Sequence, residues 1–306
     1  MLMPGTSHSG PLPPLTPEEI ALRDRLKADI ERISANGEHN YIAYDNLLAV
    51  ADFIEDEFAK AEYEVRSQAY DIEGQTFRNL EVERLGTETP ESIVIVGAHY
   101  DSVVVSPGAN DNGSGVAAIL ALARAFAHVS PKRTLRFVAF ANEEPPFFQT
   151  EEMGSVVYAK RCRQSNENIV AMLCLETIGY YDDAPGSQNY PMGLLENIYP
   201  ITGNFLSVVG NLDSAFLVRQ VVGEFRDRTQ FPCEGAILPG SVAGAGWSDH
   251  WAFWQYNYPA VMVTDTAPFR YPYYHTAEDT PDKVDFDRLA RVVMGLQRTL
   301  DALVNA

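Results

Sequence analysis

Cysteine is scarce in this chain. Cys162, Cys174 and Cys233 are the whole complement, an odd, sparse set without metal-type spacing, which argues against a disulfide framework and leaves room for one bridge at most. Cys174, inside the apolar run Val170–Leu175, reads as a small core residue. Positive charge is also short. Lys and Arg number 23 against 42 Asp and Glu, for a net charge of −19 and a pI near 4.6. Nucleic acid and anionic membrane are therefore poor partners. The acidity reads first as a solvated surface and second as a weak attraction for cationic substrates. No apolar run is long enough to span a membrane. No basic segment followed by an apolar one opens the chain at Met1–Pro14. The expectation is a cytoplasmic protein, or a secreted one if the start of the chain was trimmed. Also missing are His-Glu-x-x-His, Gly-x-Ser-x-Gly and a phosphate loop, which removes the common competing hydrolase readings.

What is present is ordinary globular composition: 306 residues, 46% hydrophobic, enough for a sizeable core in one large α/β domain. A Pro/Gly/Ser-rich segment covers residues 1–15 and is expected to be flexible or loosely draped. Thr16-Pro17-Glu18-Glu19 opens a helix running to about Ser34. A second helix spans roughly Tyr44–Ala61. Tyr63–Tyr70 and Thr76–Leu85 alternate like strands around Gly74. Ser92–Val96 is a short β-branched run of the kind buried on both faces of a sheet. A very apolar helix, Gly113–Val129, follows. Strands at Thr134–Ala141, Ile169–Leu175, Asn204–Gly210 and Ala260–Thr264 alternate with helices at Met153–Cys162, Ser214–Arg226, Ser248–Gln255 and Asp285–Asn305. Residues 177–203, 232–246 and 266–280 read as irregular. Strand and helix in alternation predict a mostly parallel sheet between helical layers.

In open α/β sheets ligands sit beyond the carboxyl ends of the strands. His99 follows the first central strand, Glu143-Glu144 the second and Glu176 the third. Asp111 precedes the buried helix, and His275 lies in the loop after the last strand. Carboxylates massed at one edge repel one another and resist ionisation unless cations join them. Three carboxylates and two imidazoles suit two divalent ions. If Asp111 bridges, His99, Asp111 and Glu176 hold one ion, and Asp111, Glu144 and His275 the other, each with an open position for a shared water. Asp111, Glu144, Glu176 and Glu143 supply about −4 against +4 from the metals, so the cluster is near neutral. Glu143 is left over. Neighbours on an extended segment point opposite ways, so it can serve the water as general base. Asp101 could accept the His99 N–H and fix its tautomer; alone, a strand-end His-x-Asp is an ordinary polar turn.

HYDS at 99–102, GANDNGSG at 108–115, FANEE at 140–144, MGS at 153–155, LETIGY at 175–180, SDH at 248–250 and YYHTAEDTPD at 273–282, in this order, resemble the M28 family of zinc aminopeptidases. The match runs over roughly residues 41–306. The resemblance implies a three-layer α/β/α sandwich with a mixed, mostly parallel sheet of about eight strands, and a single zinc peptidase domain over 16–306. It also implies two zinc ions per chain. It carries the bridging role to Asp111, ligand roles to His99, Glu144, Glu176 and His275, the base role to Glu143 and a supporting role to Asp101. Tyr274 matches a tyrosine that in some members donates to the carbonyl oxygen, with Tyr273 beside it as an alternative. Two departures stand out. The Glu176 position is more often Asp in the family, and the segment after Glu144 (PPFFQTEE) is longer than in the simplest members. Pro145–Phe148 then forms either a lid on the core or a wall of the pocket for the first side chain.

The expected activity is hydrolysis of the N-terminal peptide bond of peptides or aminoacyl amides. The rivals are a glutaminyl-cyclase-like acyltransferase with one working zinc, a non-catalytic relative, and a carboxypeptidase, for which Arg270 is the nearby cation. Asp249 and His250 read as cleft lining or distant support. His8 and His39 read as surface. Trp247, Trp251 and Trp254 read as core or cleft wall.

Overall fold

A computed structural model describes residues 3–306; Met1 and Leu2 of the 1–15 segment lie outside them. The chain first forms helix α1, Pro17–Ile33, closed by a capping box in which Thr16 and Glu19 each satisfy the other's backbone N–H. Helix α2, Tyr44–Lys60, follows. Strands β1 (Arg66–Ile72) and β2 (Gln75–Arg84) make a hairpin through Gly74, whose φ of +89° suits a residue without a Cβ. Then come β3 (Thr89–His99), α3 (Gly113–Phe126), β4 (Arg133–Phe140), α4 (Gly154–Gln164) and β5 (Asn168–Glu176). After a long irregular segment follow β6 (Leu206–Gly210), α5 (Ala215–Arg228), β7 (Cys233–Ile237), α6 (His250–Gln255) and β8 (Ala260–Thr264). The single turn α7 (Ala267–Arg270) and the helix α8 (Phe286–Val304) end the chain.

All eight strands join one sheet in the order β1-β2-β4-β3-β5-β8-β6-β7. The four middle strands are mutually parallel, while β1–β2, β2–β4 and β6–β8 pair antiparallel. The sheet is therefore mixed, as the resemblance implies. One strand went unread from the sequence: β7 lies inside the stretch expected to be irregular. Its residues, Cys-Glu-Gly-Ala-Ile, carry no clear alternation, and it forms because β6 offers a free parallel edge. Residues 3–7 run along this end of the sheet, where Ser7 Oγ accepts from Cys233 N and Pro4 O from Arg226.

Helices α1, α2, α3, α5 and α8 cover one face around a single large core. α3 is buried nearly all round, consistent with its apolar composition. Its first turn comes so close to β5 that a Cβ at Gly115 would lie 2.5 Å from the Leu175 carbonyl oxygen. α4 and α6 cover the other face, where the rings of Phe140, Tyr158 and Phe253 pack on one another. Beyond them, over β8, β6 and β7, loops and the single turn α7 close this second face, and a pocket remains under them. None of the described helices is long and apolar enough to cross a membrane.

His250, at the start of α6, is fully buried. Its Nε2–H donates to the Ala245 carbonyl at 2.8 Å, and its ring stands edge-on to Trp254. Burial pulls the imidazolium down to about 4, a little offset by that hydrogen bond. The folded state holds His250 neutral, while the unfolded chain protonates it near pH 6.5. Stability from this group is complete above pH 6.5 and declines as pH falls towards 4, by about 3 kcal/mol in total. Thermal melts from pH 7 to 4 should therefore show a steeper loss of Tm for the natural protein than for His250→Asn. Parallel curves would contradict this account.

Candidate metal centre

Because β3, β4, β5 and β8 run parallel, their carboxyl ends share one edge of the sheet. His99 is the last residue of β3, and Glu176 is the last of β5. Glu143 and Glu144 follow β4 through Asn142, Asp111 precedes α3, and His275 comes from the loop between α7 and α8. Backbone strain gathers here. Asn142, Thr177 and His275 all have φ between 43° and 58°, a left-handed region that costs a non-glycine residue about 1–3 kcal/mol and persists where its surroundings impose it.

The five expected ligands do converge. His99 Nε2 lies 3.2 Å from Glu176 Oε2 and 3.5 Å from Asp111 Oδ1. His275 Nε2 lies 3.1 Å from Asp111 Oδ2 and 3.3 Å from Glu144 Oε1. The donors fall into two groups that could each hold a metal ion, His99–Asp111–Glu176 and Asp111–Glu144–His275, joined by Asp111, one carboxylate oxygen to each side. Glu143 Oε2 approaches His99 Nε2 at 3.8 Å and belongs to neither group.

The chemistry of this donor set fits cations. His99 Nδ1–H is spent on the Asp101 backbone carbonyl at 3.0 Å, which leaves Nε2 as the nitrogen facing the carboxylate oxygens. His99 Nε2, Asp111 Oδ1 and Glu144 Oε1 are all buried and have no hydrogen-bond partner, the condition a metal ion relieves. Electrostatics agrees. Burial raises Glu144 to about 7, helped by the Asp111 charge, and holds Glu143 and Glu176 above the usual carboxylate range too. Burial opposes the His275 imidazolium, but Asp111 and Glu144 outweigh it and lift it to about 10. These are carboxylates seeking positive charge, which divalent ions would supply.

Asp101 has a part beyond the expected one. Its side chain is 3.5 Å from His99 Nδ1, farther than its own carbonyl. Its two oxygens accept from the N–H groups of Glu143 and Glu144, each at 3.0 Å. The carboxylate thus grips the backbone of the Glu-Glu pair while staying within 3.5 Å of the His99 ring nitrogen.

Beside the cluster opens a pocket lined by Glu176 and Tyr274 and walled by Tyr190, Tyr199, Phe205, Trp247, Met262 and Phe269. Its mainly apolar, aromatic lining is that of a pocket for an apolar side chain. The long 177–203 segment supplies part of the wall, which accounts for its length. Tyr274 stacks on His275 at 3.8 Å and faces this cavity, whereas the Tyr273 ring packs against Tyr271. Pro145–Phe148 is no wall of this cavity. Phe147 packs on Tyr41 and Phe77, and Pro145 and Pro146 are exposed. Arg270 is buried outside it and committed elsewhere, donating to Gln188 Oε1 at 2.7 Å and the Phe205 carbonyl at 2.9 Å. That leaves it badly placed to meet a substrate carboxylate. His39 is buried rather than superficial, with Nδ1 on the Gly37 carbonyl and its backbone tied to Ser102.

Several supporting residues carried no assigned role in the sequence. Ser248 Oγ donates to Glu176 Oε2 at 2.5 Å. Asn110 and Asn112 flank Asp111 and bond the segment after β5: Asn110 Oδ1 accepts from Gly179 N and Asn112 Oδ1 from Thr177 N. Asp279 accepts from the N–H groups of Asn110 and Asp111. The only signal for them was their place in the Asp-Asn-Gly, Ser-Asp-His and Glu-Asp-Thr stretches, and loops have no periodicity from which partners could be read.

Comparison with known proteins places this geometry. An uncharacterized Escherichia coli K12 protein, YfbL, is 39% identical over 260 residues, which are 82% of this chain and 79% of that one. Among solved structures, the zinc aminopeptidase BSAP of Bacillus subtilis superposes with a TM-score of 0.73 at 16% identity, covering 92% of this chain and 95% of that one. The glutaminyl cyclase of Fimbriiglobus ruber does so with a TM-score of 0.65 at 18% identity, over 96% and 97%. At these identities the two structures establish a shared sandwich and nothing finer. The profile described as "Peptidase family M28" matches residues 79–299, from the middle of β2 almost to the end of α8, and so takes in every strand end that brings a carboxylate or imidazole to the cluster. A match of that extent makes this chain a member of peptidase family M28.

Proposed function

We propose that the chain is an aminopeptidase that hydrolyses the N-terminal peptide bond of peptides whose first residue is large and apolar, with two zinc ions. His99, Asp111 and Glu176 would hold one ion, and Asp111, Glu144 and His275 the other. The observation that carries this reading is the division of the donors into two groups sharing Asp111, with Glu143 unspent beside them. When bound, the zinc pair would acidify a shared water and polarise the scissile carbonyl. Glu143 takes the water proton and passes it to the departing amine. Asp101, by gripping the Glu143 and Glu144 amides, keeps that carboxylate from drifting. Tyr274, half-buried beside four carboxylates, has a phenol held well above its usual range. It stays protonated and donates to the carbonyl oxygen. The free α-amine is drawn to the acidic cluster, and the first side chain enters the apolar cavity.

A panel of aminoacyl chromogenic amides, run with zinc and again after chelation, tests this. Leucyl and phenylalanyl amides should exceed the alanyl amide by about 10–200-fold in kcat/KM, the usual worth of added methylenes in an apolar pocket. Chelation should abolish all of it, and zinc should restore it. Cyclisation of N-terminal glutamine without amide hydrolysis, at one zinc per chain, would favour the acyltransferase instead.

A further inference from the structure

We propose that Asp279 is a positioning residue that holds the bridging carboxylate Asp111 against the loop bearing His275, and so assembles the second metal set. The proposal rests on the two-zinc reading above. The two metal sets are not supported alike. His99 and Glu176 end neighbouring strands of the sheet, so β-pairing places them. Asp111 and His275 both sit on loops, far apart in the chain, and nothing in the sheet fixes one relative to the other. Asp279 does. It is fully buried. Its Oδ1 accepts from Asn110 N at 2.9 Å and its Oδ2 from Asp111 N at 3.0 Å. Its backbone carbonyl accepts from Ala109 N at 3.2 Å. Among the described residues, the backbone N–H groups of 109–111 thus all end on this one residue, four positions beyond His275. A third donor, the Tyr271 hydroxyl at 2.7 Å, pins the carboxylate from its own loop.

The two amides meet different oxygens of the one side chain, so a carboxylate accepts from both as it stands. Asp101 uses the same two-oxygen grip on Glu143 and Glu144. Each loop-borne acidic ligand of the second set, Asp111 and Glu144, therefore has its amide held by a buried aspartate. In Asp279→Asn the side-chain NH2 would face a backbone N–H, one of the two bonds would be lost, and the turn carrying Asp111 would loosen.

Calorimetric titration of the metal-free protein with zinc tests the assignment, alongside metal-free melting curves. The natural chain should bind two ions. Asp279→Asn should bind the second ion about 10–100-fold more weakly, the usual effect of losing a group that orients a ligand, and should weaken the first, which shares Asp111 but takes His99 and Glu176 from paired strands, by a clearly smaller factor. Tyr271→Phe, which leaves the grip but frees the carboxylate, should weaken the second ion by a few-fold and the first by less. It gives the answer if Asp279→Asn does not fold. Two ions bound at natural affinity in both variants, or equal weakening of both ions, would overturn the role of Asp279 while leaving the aminopeptidase reading standing. A natural chain that binds one ion would overturn both.

Discussion

Glu143→Gln should lower kcat by about 10²–10⁴-fold, the range that general acid–base catalysis supplies, while zinc content stays at the natural level. The dissociation follows from geometry. Glu143 lies near His99 but belongs to neither donor group, so removing its charge takes no ligand from either set. Its neighbour Glu144 is a ligand in this reading, and Glu144→Gln should lose metal and activity together. The contrast between adjacent residues separates a base from a ligand. Glutamine keeps the shape of the side chain and cannot take a proton. Glu143→Ala should lose as much turnover, and its KM should stay close to natural, because the apolar cavity and the amine site are untouched. Near-natural turnover in Glu143→Gln would remove it from the mechanism, and metal loss in that variant would make it a ligand.

Asp111→Ala should have the broader effect, since it takes one donor from each set at once. Zinc should no longer stabilise the fold. For the natural chain, zinc at about 100 times its dissociation constant should add about 2.7 kcal/mol to stability, seen as a Tm that rises on adding zinc and falls on chelation. The melting curve of Asp111→Ala should be indifferent to both, and amide hydrolysis should be absent. His275→Ala gives the intermediate case, because His99, Asp111 and Glu176 remain to hold one ion. A strong zinc-dependent Tm in Asp111→Ala would mean that the shared carboxylate is not the keystone the geometry makes it.

The strand ends were legible because hydrophobic runs stop abruptly at polar residues. Ser92–Val96 leads to His99, Thr134–Ala141 to Glu143, and Ile169–Leu175 to Glu176, and a buried run that meets an acid or imidazole marks where the sheet ends. Asp111 was legible from the turn residues around it and the apolar helix behind. β7 was not, because a five-residue edge strand with a central glycine has too little pattern to separate from a loop. The carboxylate of Asp101 was assigned to His99 on proximity in sequence. In space the closer acceptor was its own backbone carbonyl, which freed the side chain for two amides across the gap between β3 and β4. Pro145–Phe148 read first as a lid on the core and second as a pocket wall, since an apolar residue packs wherever apolar surface waits; for Phe147 that surface was Tyr41 and Phe77.

By itself the amino-acid order determined the alternation of strand and helix, the parallel centre of the sheet, and the chemical identity of the groups at its edge. Those are consequences of local periodicity and of residue type, which each segment carries with it. The tertiary structure alone decided how closely those groups meet, that buried aspartates grip the turns bearing the acids, and that loops and the turn α7 over the sheet leave an apolar pocket beside them. Each of these depends on contacts between loops remote in the chain. A loop's position is set by whichever partners satisfy its backbone, and no period in the sequence records who they are.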